Sequence, residues 1–418
     1  MITKELLKQV IYDQRHIKSG ETISRDIDLS VFKSNEISVI SGIRRCGKSV
    51  LMHQLCDMFT EHDYFINFDD DRLMHFSLED FTLLHEVFIE EFGVQHTFYF
   101  DEIQLIPGWE RFADRIYTSG NKVIVTGSNA YMLSRELGTL LTGRHLTQQL
   151  YPFSFNEFLR CKGVEVDKQD LYVTENRVQL LQKQREFMQS GGFPQYVTSN
   201  NPRILRELYN DIMYRDIIVR HHLPSERPIR ELGYYLASNN THRFTFSSLS
   251  KAINIKSVDT VKDYLSYFEE TYLIGIITKY SHKVGEQLKS PRKAYFIDTG
   301  LASQIGFNLS DNIGKKLENA VYVELLRRGH DIYYYDDGPE CDFITRQGST
   351  VIAAYQVCAS MNQPETVGRE LDGLISAMNA FGLQEGYIIT LDQYEERKHT
   401  DGRYIHIIPF YRWVLFNV

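Results

Sequence analysis

Residues 42–49 read Gly42-Ile43-Arg44-Arg45-Cys46-Gly47-Lys48-Ser49, "GIRRCGKS". The apolar run "EISVI" (36–40) precedes them and the helical pattern "VLMHQLCDMF" follows. A strand that runs into a G-x-x-x-x-G-K-S turn and then a helix is the layout that phosphate binding requires. The glycines let backbone N–H groups curl around an anion, and the helix start adds its partial positive charge.

On this reading Gly42, Ile43, Arg44, Arg45, Cys46, Gly47, Lys48, Ser49 and Val50 form the nucleotide-binding segment. Lys48 reaches the β and γ phosphates and Ser49 ligates Mg²⁺. Arg44 and Arg45 either support the loop or touch nucleotide. The cofactor set is ATP with Mg²⁺.

Working outward, strand-like runs recur at 64–68, 97–101 and 122–128, separated by helical patterns, as in a parallel sheet with crossover helices. The run "TFYFDEIQ" ends in Asp101 and Glu102. Asp101 would hold Mg²⁺ through water and Glu102 would polarise an attacking water, unless the two acids merely start a helix. The run "VTGSNA" sets Thr126, Ser128 and Asn129 at the same sheet edge, as γ-phosphate sensors or as a hydrogen-bonding turn. Arg144 in "LTGRH" would stabilise the transferring phosphoryl group from within the chain or from a neighbouring subunit, or would form a salt bridge. The catalytic set is therefore Lys48, Glu102, Asn129 and Arg144.

The segments "SGIRRCGKSVLMHQL", "FYFDEIQ", "VTGSNAYMLSRELGTLLTGRH", "LYPFSFNEFL", "GGFPQYV", "YFIDTGLAS" and "LENAVYVELLRRG" occur in that order. In this the chain resembles the bacterial and archaeal AAA-like P-loop ATPases that carry a C-terminal domain of unknown function. The resemblance covers nearly the whole chain. It implies ATP binding, a winged-helix middle and a C-terminal domain similar to the restriction-endonuclease-like PD-(D/E)XK fold.

The expected fold class is α/β: a P-loop NTPase parallel sheet, a helical appendage, a winged helix and a restriction-endonuclease-like α/β domain. The expected divisions are 1–148 (AAA-like core), 149–225 (lid-like helical appendage), 226–305 (winged helix) and 306–418 (nuclease-like). Within the appendage, "GGFP" (191–194) reads as a bend or hinge. In the winged helix, three helical patterns at 228–238, 246–252 and 258–270 precede a β-rich ribbon. Between 279 and 293 the ribbon carries Lys279, Lys283, Lys289, Arg292 and Lys293 against one acid, Glu286. In a chain of net charge −9 this local excess is the expected DNA-binding wing, lying along phosphates. A module that packs on protein is the alternative, because the helix beside it carries Asp259, Asp263, Glu269 and Glu270 against Lys262.

A PD-(D/E)XK nuclease needs an acid on its first helix, an Asp on one strand, and an acid followed two positions later by Lys on the paired strand. Glu318 and Asp342 fill the first two places, but "AAYQVC" puts Gln356 and Cys358 in the others. A thiol has no cationic form, so Cys358 cannot replace an ammonium; Arg369 is a candidate substitute. The site reads as degenerate, and nuclease activity is not expected.

Five cysteines match no zinc spacing. No window has the roughly 18 apolar residues of a membrane span, and the first residues lack a signal peptide's apolar core. The expectation is a cytoplasmic protein with ATP as ligand, DNA or a protein as partner and no membrane. Its expected function is Mg-ATP hydrolysis driving a conformational switch that acts on or with DNA; the alternatives are a nucleotide-gated scaffold with negligible turnover and an ATP-gated Mg-dependent nuclease.

Overall fold

The computed structural model describes residues 2–16, 22–127, 141, 143–307 and 312–416. The fold is mixed α/β, and the chain forms two compact units. The first comprises Met1–Tyr151 with Glu270–Tyr272; the second comprises Pro152–Glu269 with Leu273–Val418. The expected appendage, middle and C-terminal segments therefore fall largely within one unit.

The first unit is built on five parallel strands, β1 (Ile37–Ser41), β2 (Tyr64–Asn67), β3 (Thr97–Asp101), β4 (Lys122–Gly127) and β5 (His145–Gln149), in the order β2-β3-β4-β1-β5. β1 is buried along its whole length, its two serines included, as befits a central strand of a parallel sheet. β5, by contrast, reads "HLTQQ" and is half-exposed, so it lacks an apolar signature and was not anticipated. Helices Lys4–His16, Asp80–Phe92 and Trp109–Thr118 bury Val10, Phe81, Phe88 and Phe112 in a core with Phe98, Phe100 and Val125. Phe81 stacks on Phe112 with ring centroids 4.3 Å apart.

The second unit opens with helix Phe155–Cys161, whose start carries a reciprocal cap between Ser154 and Glu157. Helix Thr174–Ser190 then ends at Gly191. The "GGFP" segment does turn, but its backbone is held rather than free. Gly192 N donates to Asp298 Oδ2 (2.6 Å), and Phe153 N donates to Gly192 O (2.6 Å). A Cβ on Gly192 would lie 2.2 Å from Phe153 O. The expected hinge is thus a clasp.

Asp298 also caps helix Thr299–Ile305 through Leu301 N (2.8 Å). Burial lifts its carboxyl to about 6, against the opposing pull of these N–H groups. Because the folded-state value is raised, the contribution to stability is present below the unfolded value of about 3.9 and is lost as pH rises through about 6. Unfolding measured across that window should show a steeper fall for wild type than for Asp298→Asn; equal slopes would remove Asp298 as the titrating group.

Helices Arg227–Ser238, Phe246–Ala252 and Val258–Glu270 follow at nearly the expected bounds. With them come β6 (Arg243–Phe244), β7 (Ile274–Thr278) and β8 (Arg292–Phe296), an antiparallel sheet in the order β6-β8-β7. The link from β7 to β8 holds a short helix, Val284–Lys289.

The last sheet has six strands: β9 (Asp331–Tyr335), β10 (Cys341–Gln347), β11 (Thr350–Val357), β12 (Glu385–Thr390), β13 (Glu395–Lys398) and β14 (Tyr404–Pro409). Their order is β13-β14-β12-β11-β10-β9. Helices Ile313–Arg327 and Pro364–Phe381 belong to this part, and the second packs Leu374, Ala377 and Met378 into its core. Among the described residues no helix is long and apolar enough to cross a membrane.

Candidate nucleotide site and a second acidic cluster

In a parallel sheet, loops leaving the carboxyl ends of the strands share one edge. That edge gathers the loop after β1, Asp101 at the end of β3 and Thr126 near the end of β4, since Ser41 pairs with Gly127 and Asn67 with Asp101. The loop curls through Gly42 (φ +150°), Arg45 (φ +63°) and Gly47 (φ +105°). A Cβ on Gly42 would stand 2.1 Å from Leu150 O, so only glycine fits there.

Two outside groups hold the loop's shape. Arg25 donates to Cys46 O (2.9 Å) and Tyr151 O (2.6 Å), and the Cys46 thiol donates to Leu150 O (3.4 Å). Burial pushes that thiol up, so it is a packing group. Arg25 carried no sequence signal, because it lies 21 residues before its partner in a segment without periodicity. Arg44 is half-buried, whereas Arg45 and Val50 are exposed.

Lys48, 4% exposed, donates to Gly42 O (3.2 Å) and Ile43 O (3.3 Å), which keeps its ammonium inside the curl. Asp101 is fully buried. It accepts hydrogen bonds from Thr126 Oγ1, from Asn67 Nδ2 (2.8 Å) and from Ser49. Burial raises its carboxyl, while the Thr126 and Ser49 bonds act to lower it.

Thr126 Oγ1 also accepts from Glu102 N (2.9 Å). This ties Glu102 into a left-handed conformation (φ 53°, ψ 38°), a strained state for a residue with a side chain. The Glu102 carboxylate accepts from Gln104 Nε2. Of the expected sensors, Thr126 is this tie, and Ser128 and Asn129 lie outside the described residues. Asp101 and Ser49 supply oxygen donors beside each other, which suits Mg²⁺, an ion commonly held by one or two protein oxygens together with substrate phosphates.

Of the two roles expected for Arg144, the structure shows the salt bridge and not the phosphoryl contact within its own chain. Arg144 immediately precedes β5, whose first residue pairs with Ile37 at the start of β1, and its carbonyl accepts from Ile37 N (2.9 Å). It therefore stands at the edge opposite the loop, about 13 Å away along a five-residue strand. Its guanidinium pairs with Asp114. A role on the phosphoryl group of its own chain is not available to it.

The basic ribbon departs from expectation. Lys279 pairs with Asp336 (2.8 Å) and Asp337, and Lys283 with Glu286 (3.0 Å). Arg292 lies over the Phe246 ring at 4.2 Å and donates to Leu288 O. Lys293 is buried. Only Lys289 of the five is exposed with no ion pair among the described residues. Two of the five cations, Lys279 and Lys293, are neutralised by the acidic segment 336–342 some 50 residues downstream, which charge counting along the sequence does not register.

In the C-terminal part, Glu318 on helix Ile313–Arg327 and Asp342 on β10 converge on Lys293. Gln356 Oε1 accepts from Asp342 N (3.1 Å), and its amide donates to Glu370. Cys358 turns its thiol to Ser360 O (3.1 Å). Arg369 is largely exposed and pairs with Glu370, so it does not enter the cluster. The cation that does enter, Lys293, was assigned to the wing.

With an AAA-type P-loop domain defined by this sheet edge, comparison with known proteins adds its relatives. A family model described as AAA domain matches residues 34–159, and one described as Domain of unknown function (DUF8612) matches 181–312. The chain belongs to the same family as a Methanocaldococcus jannaschii protein, "Uncharacterized protein MJ1544", with 32% identity over 99% of this chain and 96% of the relative. An uncharacterized Haemophilus influenzae protein is 30% identical over 92% and 96%.

Solved structures with similarity include Cdc6p from Pyrobaculum aerophilum (10% identity, 69% of this chain and 88% of that one, TM-score 0.24). A second is the Aeropyrum pernix ORC2 protein in its ADP form (9%, 64% and 90%, TM-score 0.31).

Proposed function

We propose that the N-terminal unit hydrolyses ATP, with Gly42–Ser49 cradling the phosphates and Glu102 orienting the attacking water. The observation that carries this is the shared sheet edge, where Ser49 and Asp101 are hydrogen-bonded directly beside Lys48. Mg²⁺ would supply charge neutralisation of the phosphates, held by Ser49 and Asp101. Lys48 neutralises developing charge, and the Thr126 tie fixes the backbone from which Glu102 projects.

The helix, strand, two-helix and hairpin order of 227–296 supports a winged-helix reading, and the acid cluster on the last sheet supports a nuclease-like ancestry without cleavage. Both then serve as modules that the nucleotide state controls, with a protein partner favoured over DNA because three of the ribbon's five cations are paired with acids of the same chain.

Steady-state phosphate release tests the reading. Glu102→Gln is expected to slow it by about 10²–10⁴-fold while Mg-ATP still binds. Equal, negligible release by wild type and variant would favour the scaffold alternative instead.

A further inference from the structure

Lys293 on β8 places its ammonium among three carboxylates: Glu340 Oε1 at 2.8 Å, Glu318 Oε1 at 3.3 Å and Asp342 Oδ1 at 3.3 Å. Its side chain is only 5% exposed. Tyr295, two residues along the strand and so on the same face, donates its hydroxyl to Glu318 Oε1 (2.8 Å).

An ammonium has three N–H donors and no acceptor, and three carboxylates meet it. The spacing is that of N–H···O bonds, well beyond the roughly 2.0–2.1 Å of Mg²⁺–oxygen ligation. The neighbouring groups are also satisfied without an ion. Asp342 Oδ2 accepts from Val357 N (3.0 Å), and Gln356 bonds Asp342 N and Glu370. Among the described residues no group of three or more His, Cys, Asp or Glu is arranged to hold a metal.

The setting extends beyond one lysine. Arg243 on β6 pairs with Asp336 (2.7 Å) and Glu340 (2.9 Å), and Lys279, just past β7, pairs with Asp336 (2.8 Å). Each strand of the three-stranded sheet thus sends or leads to a cation on the acidic segment 336–342. Lys293 is the one that penetrates to Glu318.

We propose that Lys293 is the resident cation of the Glu318–Glu340–Asp342 cluster, occupying by its ammonium the place a divalent ion would take between Glu318 and Asp342. The cluster then holds no metal in the wild-type protein, and its carboxylates stay together without one. This does not depend on ATP hydrolysis by the other unit.

The test uses the full chain without nucleotide, with Mn²⁺ as probe. Wild type should show no Mn²⁺-dependent rise in Tm that Asp342→Asn removes. Lys293→Met should melt lower in chelator and recover by at least about 2 °C in Mn²⁺. Adding Glu318→Gln and Asp342→Asn to Lys293→Met should abolish that recovery.

A folded Lys293→Met that ignores Mn²⁺, or a wild-type Mn²⁺ response lost in Asp342→Asn, would overturn the proposal. Should Lys293→Met not fold, amine acylation of wild type decides. Lys293 should react at least about tenfold more slowly than Lys289, since reaction requires local opening. Equal rates would overturn it as well.

Discussion

Lys48→Ala is expected to leave the first unit folded and to remove its stabilisation by Mg-ATP. Among the described residues the side chain makes two long hydrogen bonds, to Gly42 O and Ile43 O, and alanine suits the first residue of helix Lys48–Met58. Without nucleotide the variant should therefore melt close to wild type. A ligand that binds only the folded state stabilises it by about 2.7 kcal/mol at a hundred times its dissociation constant, and the variant should lose that gain. Phosphate release should fall at least about 10²-fold, since a buried cation aimed at developing charge is worth that much. Thermal melts with and without Mg-ATP check the first point; undiminished stabilisation of the variant would place the nucleotide elsewhere.

Asn319→Leu should cost the second unit about 2–4 kcal/mol, because two buried groups, Phe296 O and Asn240 Nδ2, lose this partner at about 1–3 kcal/mol each, partly offset by the apolar side chain, while Phe296 N keeps its bond to Asn240 Oδ1 (3.3 Å). Asn319 is fully buried. Its Nδ2 donates to Phe296 O (2.8 Å), and its Oδ1 accepts from Phe296 N (3.0 Å) and from Asn240 Nδ2 (2.9 Å). One side chain thus replaces a missing strand beside the end of β8, one position from Glu318. Urea unfolding should show the loss, and Asn240→Ala should show a smaller one. A loss under about 1 kcal/mol for Asn319→Leu would mean that water takes over these bonds.

The loop at 42–49 and the acids at 101 and 102 were legible because their chemistry follows from residues adjacent in sequence, in a strand–turn–helix order that forces the geometry. The helices of the middle segment were legible from periodicity. β5 was not, since an edge strand half in water has no apolar run to mark it. Arg144 shows the limit within the first unit. Its spacing from the loop is visible in sequence, but only the parallel register of β5 on β1 decides which end of the sheet it occupies.

Charge shows the same limit across longer distances. The sequence by itself determined that 279–293 is basic and that Gln356 and Cys358 break a nuclease pattern. The tertiary structure decided that Lys279 and Lys293 face the acidic segment 336–342, because the fold sets the three-stranded sheet beside β9 and β10, with a bridge between Lys279 and Tyr334. An ion pair depends on separation in space, so a count along the chain registered a free patch and a missing lysine. The fold joins the two: the supposed surface cation is the buried partner of Glu318 and Asp342.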